Sequence, residues 1–287
     1  MKVRHVKHSD RGEQSFRVTQ EVVPHFYNPL HFHNEVELAY IIQSHGTVFI
    51  GDYIGSFKPG DLFLIGEKLP HNFKNAADYF AKESKLEAEA LVIHFDKDFL
   101  GADLWEKAEM KAINNLLHEA RKGILVFGNT GSIVQKRMID LPQLSSVSQV
   151  LAIVEMLDII SLSKENQVLS TSLPSSNFNF ADAEKLNKIN GYALMNFKKP
   201  IPIKTIAALV SMNPSAFCRY FKMRTKRSFS QFLIELRLQH ATQMLINSSS
   251  TIDQISFESG FESPSYFYRC FRKHKGLTPA AFQKKLR

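Results

Sequence analysis

A repeat near the C-terminal end of the chain constrains the fold more than any other feature of the sequence. Residues 203–222 and 252–272 each show the pattern of a helix, a short turn and a second helix. The two segments align at an offset of 49 residues before the turn and 50 after it, and the matched pairs are Pro214/Pro264, Ser215/Ser265, Phe217/Phe267, Arg219/Arg269 and Phe221/Phe271. Because a solenoid needs about three repeats, two copies predict a pair of equivalent two-helix units.

The second helix of each unit has a clear start signal. Asn213 and Ser263 are residue types that commonly cap a helix N-terminus. The proline that follows each of them is favoured at the first helical position. Gly260 supplies the permissive backbone that the turn of the second unit needs.

The same second helices separate aromatic from polar side chains when residues are placed at 100° intervals. The inward faces carry Phe217, Tyr220 and Phe221 in the first unit and Phe267, Cys270 and Phe271 in the second. The predicted DNA-binding residues lie on the opposite face or at its edge, and they are Ser215, Cys218, Arg219, Lys222, Ser265, Tyr268, Arg269 and Arg272. Arginine can bond a guanine edge with two hydrogen bonds, so a pattern seen twice favours DNA recognition over an ordinary surface helix.

A further helix is predicted between the two units, over residues 228–247. Its 20 residues, at 1.5 Å each, span about 30 Å. One turn of DNA measures about 34 Å. The sequence therefore predicts that one chain can place both second helices in successive major grooves of double-stranded DNA.

The charge of the chain is divided unevenly. Residues 1–181 contain 18 basic and 22 acidic residues, a net charge of −4, whereas residues 182–287 contain 18 basic and 6 acidic residues, a net charge of +12. A strongly basic region is typical of a nucleic-acid-binding domain. We therefore expect a DNA-binding domain at the C-terminal end, joined to a part with another role.

The stretch from Gly260 to Pro279 is similar, nearly residue for residue, to the signature of the AraC/XylS family of transcription regulators. The resemblance extends over about residues 186–287, and Ser211 departs from it, because the family usually has glycine there. The resemblance implies an all-α double helix-turn-helix domain of seven helices that regulates promoters, often as an activator.

The N-terminal part shows strand patterns first and helix patterns later. Val36–Ile42 alternates apolar with other residues, and turn residues recur about every 8–12 positions, a rhythm of small antiparallel barrels and sandwiches. Leu104–Leu117 and Leu151–Ile160 carry apolar residues at helical spacings. We predict an α+β protein with a β-barrel at 1–95, a helical dimerisation segment that covers it at 96–163, a linker at 164–181 and the DNA-binding domain at 182–287.

Two histidines and a carboxylate stand at i, i+2 and i+6 in His31–Glu37, on one face of a predicted strand. Together with His71 they resemble the two motifs of the cupin barrels, over about residues 26–95. The resemblance implies that His31, His33, Glu37 and His71 can hold a divalent metal. Gly66 and Lys68 depart from the motif, which has Pro and Gly at these positions.

Three interpretations of these side chains remain open. They could hold a transition metal, form a polar pocket for a small effector, or be structural histidines at the mouth of the barrel. The candidate effector-pocket residues are His31, His33, Glu37, Tyr40 and His71. The aromatic residues that could wall the pocket are Phe26, Tyr27, Phe32, Tyr40 and Phe49. No bound cofactor is predicted.

Several classes of protein do not fit the sequence. The first ten residues lack an apolar core, so we expect no secretory signal, and no apolar run approaches the ~20 residues of a membrane helix. Cys218 and Cys270 are too few for a disulfide framework. No Walker-type loop, dinucleotide fingerprint or nucleophile–base pair is present. We therefore expect a protein of the bacterial cytoplasm and nucleoid that is not an enzyme.

The sequence predicts a sequence-specific transcription regulator that binds promoter DNA and responds to a small-molecule effector, such as a sugar or another metabolite. We expect a homodimer that contacts RNA polymerase and acts as an activator. The alternative is a metal-dependent cupin enzyme, an oxygenase or isomerase, with an appended DNA-binding domain. A third hypothesis is a nucleoid-binding protein without sequence preference.

Overall fold

The computed structural model describes residues 15–26, 29–81, 83–171, 173, 180–247 and 250–286. Parts of the sequence predictions lie outside the described residues, namely residues 1–14 of the barrel, Tyr27 of the pocket wall, and residues 172 and 174–179 of the linker. The chain divides into two compact units, residues 1–183 and 184–287. In the described part of the chain, no helix is long and apolar enough to cross a lipid bilayer.

The first unit is built on antiparallel strands. Their bounds are β1 Phe16–Val23, β2 Val36–Gln43, β3 Gly46–Ile50, β4 Tyr53–Phe57, β5 Leu62–Ile65, β6 His71–Asn75, β7 Ala88–Phe95, β8 Ile124–Val126 and β9 Asn166–Val168. Among the described residues they form a six-stranded sheet in the order β1-β7-β2-β5-β8-β9 and a three-stranded sheet in the order β4-β3-β6. The strand pattern of Val36–Ile42 is confirmed as part of β2.

The two sheets do not join into the closed barrel that the sequence predicted. Side chains from both sheets share one buried cluster, to which Ile41 of β2 and Val48 of β3 belong. In the described residues, however, no pairing of named strands links the two sheets. An isolated bridge between His31 and His71 is the pairing found outside the named strands there. The unit is therefore a sandwich of two sheets, held together by side-chain packing.

Four α-helices accompany the sheets in the described part of the first unit, and they are α1 Ala102–Trp105, α2 Lys111–Ala120, α3 Gly128–Asp140 and α4 Ser146–Ser161. The helix predicted over 104–117 is interrupted, because Lys107 takes an extended conformation with φ −68° and ψ 146°. The helix predicted over 151–160 is confirmed as part of α4. These helices cover one face of the large sheet, where Val36, Leu38 and Phe95 are buried.

Part of the predicted linker belongs to the first unit instead. β8 and β9 extend the large sheet, so the predicted barrel boundary at residue 95 and the linker start at 164 are both wrong. After β9, Leu169 is buried, and the Asp52 carboxylate accepts hydrogen bonds from the Ser170 hydroxyl at 2.6 Å and from the Thr171 amide at 2.9 Å. The polar composition that resembled a linker is thus satisfied by strand pairing and by one buried carboxylate.

The second unit is helical, as predicted. From residue 180 onward, the described residues form α5 Phe180–Asn196, α6 Ile203–Leu209, α7 Pro214–Thr225, α8 Phe229–Asn247, α9 Ile252–Glu258, α10 Pro264–Lys275 and α11 Pro279–Leu286. α6 with α7 and α9 with α10 are the two repeated units, and α8 connects them. The seven helices agree with the number that the family resemblance implied.

The start signals of the repeated units work as expected. The Asn213 side chain accepts a hydrogen bond from the Ala216 amide at 2.8 Å, and the Ser263 hydroxyl accepts one from the Tyr266 amide at 3.3 Å. Gly260, predicted as the permissive residue of the second turn, adopts a left-handed backbone with φ 84°. Both second helices therefore begin where the sequence placed them.

Two aromatic clusters hold the repeated units. Phe217 and Phe221 lie 5.6 Å and 5.5 Å from the ring centre of Phe229 on α8. In the second helix-turn-helix, Phe267 lies 5.1 Å from Phe261, and Phe271 lies 5.5 Å from Phe282 of α11. All four repeated phenylalanines are fully buried. Each second helix is thus fixed by its inner face, and its outer face is left for other contacts.

Candidate functional sites

The outer faces of α7 and α10, here called the reading helices, carry the predicted DNA-binding residues. Those that are exposed are Ser215, Cys218, Arg219, Lys222, Ser265, Arg269 and Arg272. Tyr268 is half-buried, and so is Tyr220, which was expected to face inward. Both matched arginines, Arg219 and Arg269, therefore lie on the side of the helix opposite the buried phenylalanines.

A shallow basic depression runs along the outer face of α10. Its lining residues are Tyr268, Arg269, Arg272, Lys273 and Thr278. The Arg269 guanidinium lies 5.2 Å from the centre of the Tyr266 ring, within the range of a cation–π contact that orients it. Three cations with no carboxylate in the lining suit the phosphates and base edges of nucleic acid. Lys273 and Thr278 were not among the residues predicted from the sequence; Lys273 matches Met223 in the first helix-turn-helix, and Thr278, like its match Ser228, lies after the reading helix.

In the first unit, three imidazoles surround one carboxylate oxygen. Glu37 Oε2 lies 3.0 Å from His33 Nε2, 3.2 Å from His71 Nε2 and 3.2 Å from His94 Nε2. One ligand atom from each of the four predicted residues, His31, His33, Glu37 and His71, lies within 4.8 Å of the other three. The structure thus brings together the four residues that the sequence singled out, although β2 starts only at Val36 and the two histidines precede it.

The other ring nitrogens determine how protons are placed in this cluster. His31 Nδ1 lies 2.8 Å from the Pro29 carbonyl, and His71 Nδ1 lies 2.8 Å from the Leu69 carbonyl. His33 Nδ1 lies 3.0 Å from the carbonyl of residue 35. A carbonyl oxygen only accepts, so each Nδ1 carries a proton and donates it. In the neutral rings the Nε2 atoms then present lone pairs toward the centre of the cluster.

Burial and charge keep the cluster in this state. Burial, together with the neighbouring His71, lowers the pKa of His31 to about 3, so its ring is neutral at physiological pH. Burial alone would raise the pKa of Glu37, but the surrounding imidazoles, His71 foremost, hold it well below its usual value. The site therefore offers an ionised carboxylate beside imidazole lone pairs.

This donor set fits a divalent transition metal. A metal-bound histidine commonly donates its other ring N–H to a carbonyl, which fixes the tautomer, and three rings do so here. An imidazole lone pair within about 3 Å of a carboxylate oxygen is unfavourable unless a cation lies between them, either a second ring proton or a metal ion. His31, His33, His71 and Glu37 are the residues that would hold the ion.

Two further residues of the site were not among those predicted from the sequence. His94 lies on β7, and Arg17 lies opposite it on β1. The Arg17 guanidinium approaches His94 Nδ1 at 3.4 Å, so this nitrogen is the acceptor and His94 Nε2 donates to Glu37. A single histidine inside the apolar strand Ala90–Phe95 was the available signal for His94. Arg17 had none, because only strand pairing places it there.

A cavity of about 170 Å³ lies beside the cluster between the two sheets. Its lining consists of Arg17, Thr19, Glu21, Phe26, His31, Glu37, Ala39, Ile41, His71, Phe73, Ala90, Val92 and His94. Phe26 walls the cavity as expected, whereas His33, Phe32 and Phe49 do not line it.

The prediction that Tyr40 lines the pocket is wrong. Successive side chains of a strand point to opposite faces of the sheet. Glu37 faces the cavity, so Tyr40, three residues later, faces the helices and packs with the cluster on that side. Lys68 keeps the backbone that the cupin motif assigns to glycine, with φ 58°.

Comparison with known proteins agrees with the geometry of the second unit. A family model described as a helix-turn-helix domain matches residues 206–285. Residues 206–285 are therefore similar to helix-turn-helix domains of known proteins. This match covers both repeated units except for the start of α6, so the double helix-turn-helix prediction is confirmed.

Curated relatives match the same region. The uncharacterized transcriptional regulatory protein YesN of Bacillus subtilis is 39% identical over 79 residues, which are 27% of this chain and 22% of YesN. The virulence regulon transcriptional activator VirF of Shigella flexneri is 30% identical over 125 residues, which are 43% of this chain and 45% of VirF. The chain thus covers less than half of the length of either protein.

One relative matches along most of its length. The HTH-type transcriptional activator RhaR of Escherichia coli O139:H28 is 23% identical over 258 residues, which are 88% of this chain and 86% of RhaR. All three relatives are named as transcription regulators rather than enzymes. The prediction that the chain is not an enzyme agrees with these names, and the alternative of a cupin enzyme gains no support from them.

Proposed function

We propose that the chain is a sequence-specific DNA-binding transcription regulator. The observation that carries the proposal is the matched pair of reading helices, each with buried phenylalanines inside and an exposed arginine outside. α8 has 19 residues, about 28 Å at 1.5 Å each, which suits the spacing of successive major grooves. In this proposal Arg219 and Arg269 contact bases, and the other exposed residues of the reading helices contact bases or phosphates.

Binding to promoter DNA tests this proposal. We expect genome-wide mapping to recover promoter fragments that the protein binds. On each fragment, the footprint of one DNA-binding domain should cover two adjacent half-sites. Excess random duplex should fail to displace the protein from such a fragment. If random duplex competes equally well, the protein is a nucleoid-binding protein without sequence preference, and the proposal is wrong.

The first unit is proposed as a cupin-like sensor that binds a small molecule in the cavity beside Glu37. The support is a concave site between two sheets in which polar groups converge and apolar walls surround them, as in most ligand pockets. Effector binding would then shift the population of DNA-bound arrangements of the protein. Since VirF and RhaR are named activators, we propose activation through RNA polymerase in the bacterial cytoplasm.

A homodimer is proposed through α4. A row of exposed apolar side chains runs along this helix and onto its C-terminal cap, in which Val147 is 71% exposed, Leu151 64% and the cap residue Leu162 72%. A second copy of the chain would cover this row and supply two more reading helices for a repeated DNA site. Sedimentation should show a dimer that dissociates in Leu151→Asp, and a monomeric wild-type protein would contradict this assignment.

A metal ion is a second candidate feature of the sensor, favoured by the Nδ1–H tautomers of His31, His33 and His71. When bound, such an ion supplies a Lewis-acid contact for an oxygen ligand. Protein purified without chelators should contain about one equivalent of metal, and His33→Ala should lose it. If wild-type protein binds no Zn²⁺, Mn²⁺ or Co²⁺, the four residues form a polar pocket only.

A further inference from the structure

We propose that the cavity of the first unit binds a short-chain hydroxycarboxylate, whose carboxylate lies between Arg17 and the histidine–glutamate cluster. This inference rests on the proposed sensor function and names the chemical class of its effector. It assigns Arg17 as the residue that recognises the carboxylate, a role for which the sequence had no signal.

The position of Arg17 follows from the register of three strands. β1 pairs with β7 so that Arg17 lies opposite His94, and β2 pairs with β7 so that Glu37 lies opposite His94. One row across the sheet therefore reads Arg17, His94, Glu37, and its side chains face the cavity. His94 contacts both of its neighbours in this row, at 3.4 Å and 3.2 Å.

The charges at this end of the cavity favour an anion. A divalent ion held by neutral imidazoles and the Glu37 carboxylate leaves a net charge of about +1. The Arg17 guanidinium adds one positive charge, and the Glu21 carboxylate, which lines the same cavity and interacts with Arg17, adds one negative charge, so the loaded cavity keeps a net charge of about +1. Guanidinium groups bind carboxylates in a planar, bidentate manner that a neutral ligand does not reproduce. A buried positive end of this kind is most stable with an anion beside it.

The remaining walls limit the rest of the ligand. The next two rows of the sheet contribute the apolar side chains Ala39, Ile41, Ala90 and Val92 to the cavity, and Phe26 and Phe73 line it as well. The alanines leave room for only a short carbon chain. Thr19 and Glu21 follow Arg17 on the same face of β1, and both can bond a ligand hydroxyl.

The size of the cavity agrees with a molecule of this kind. A cavity of about 150 Å³ holds benzene, which has six non-hydrogen atoms, and this cavity measures about 170 Å³. Lactate also has six non-hydrogen atoms. A sugar of five or six carbons would be larger, and its hydroxyl groups would face the apolar rows without hydrogen-bond partners.

Calorimetric titration of the full chain tests the proposal. The probes are glycolate, L-lactate and 2-hydroxybutyrate, with lactamide as the neutral counterpart of lactate and D-ribose as a neutral polyol. Both Zn²⁺-loaded and metal-free protein are titrated. We expect at least one carboxylate to bind, at least tenfold more tightly than lactamide or ribose. If none of the three carboxylates binds in either form, or if lactamide or ribose binds equally well, the proposal is overturned.

Variants assign the carboxylate contact. Arg17→Met should weaken carboxylate binding at least tenfold, Arg17→Lys should weaken it less, and Arg137→Met on the surface of α3 should leave it unchanged. Fluorescence of the single tryptophan, Trp105, which is buried in the first unit, reports whether each variant is folded. Should Arg17→Met not fold, Ala90→Leu fills the cavity from its apolar side and should abolish binding. Unchanged binding in a folded Arg17→Met, or in Ala90→Leu, would overturn the assignment.

A spectroscopic readout separates this proposal from the regulator function. With Co²⁺ in place of Zn²⁺, carboxylate binding should change the visible absorption of the metal, and lactamide should not change it. Loss of specific DNA binding with these results intact would contradict the regulator function alone. A carboxylate that leaves the cobalt spectrum unchanged would contradict the contact between ligand and cluster.

Discussion

The two helix-turn-helix units of the second domain share their side-chain pattern and differ in their backbone. At the turn, Ser211 of the first unit adopts φ 56°, and Gly260 of the second adopts φ 84°. At the end of the reading helix, Lys226 adopts φ 59°, and Gly276 adopts φ 72°. The first helix-turn-helix therefore has a non-glycine residue at both left-handed positions, whereas the second has glycine at both.

This difference shows which features the repeat requires. The left-handed backbone is present in both copies, so the fold demands it at each turn and at each helix end. A residue with a Cβ in this region costs about 1–3 kcal/mol, and the first unit tolerates that cost twice. The turn of the second helix-turn-helix also has no room for a side chain. A Cβ on Gly260 would lie 2.7 Å from the Cα of Lys198 and 2.7 Å from the Phe197 carbonyl oxygen.

The largest expected loss of stability comes from a methyl group at the turn of the second helix-turn-helix. Gly260→Ala adds both backbone strain and a clash with main-chain atoms, so we expect a loss of about 3 kcal/mol or more in the free energy of unfolding. Ser211→Ala, the matched change in the first unit, should cost less than about 1 kcal/mol. Urea unfolding followed by far-UV circular dichroism measures both, with Trp105 fluorescence as the reference for the first domain. Similar losses in the two variants would contradict the difference in packing.

The next effect concerns DNA binding by the two reading helices. Arg219→Ala and Arg269→Ala should each cost about 1–3 kcal/mol on a specific site and relax the preference at one base position. Lys222→Ala, if its partner is a phosphate, should weaken all duplexes alike and lower the salt slope by about one. Gel-shift titrations on specific and random duplexes at several salt concentrations give these values. If neither arginine variant changes binding, the reading faces are assigned wrongly.

A smaller change in stability, of opposite sign, is expected at the two strained residues of the first helix-turn-helix. Ser211→Gly and Lys226→Gly should each raise the free energy of unfolding by up to about 1 kcal/mol, because glycine removes the steric cost of the left-handed backbone but loses more conformational freedom on folding. Gly276→Lys, the reverse exchange in the second unit, should lower it by a similar amount. The same urea titrations apply. Destabilisation by Lys226→Gly would show that the lysine side chain contributes more than its backbone costs.

The smallest effect is a pH dependence of the stability of the DNA-binding domain, residues 184–287. Burial, with a contribution from Lys198, lowers the pKa of His240 to about 4, and its ring contacts the Ser259 hydroxyl at 3.0 Å beside the second turn. An unfolded histidine titrates near pH 6.5, so the unfolded state binds the proton more readily. This contribution to stability is present above about pH 6.5 and is lost as the pH falls from there toward 4.

Comparison of the wild type with His240→Gln isolates this contribution. The urea midpoint of the wild type should fall more between pH 7 and pH 5 than that of the variant. The effect is moderate because the imidazole is only partly buried, and solvent screens its charge. Equal shifts in the two proteins would show that His240 does not titrate in this range.

The parts of the protein that were predicted correctly depend on residues close together in the chain. Caps such as Asn213 act within four residues, and the inner face of a helix repeats every three or four residues. The same rules placed Phe217 and Phe267 in the core. The metal-type cluster was also found, because three of its four residues lie within seven positions of one another.

The failures have a common physical cause in the sheets. Tyr40 was assigned to the wrong face because a strand alternates at every residue, so an odd separation from Glu37 reverses the direction of the side chain. The segment after residue 164 resembled a linker because its own composition is polar, and only its pairing with β8 makes it a strand.

By itself, the sequence determined that the C-terminal part consists of two matched helical units with an arginine on each outer face. Helices allow this, because their hydrogen bonds and faces are set by neighbours three and four residues away. Only the tertiary structure decided that Arg17 and His94 belong to the same site as Glu37. Residues from three strands, as many as 77 positions apart, meet there because antiparallel pairing aligns them.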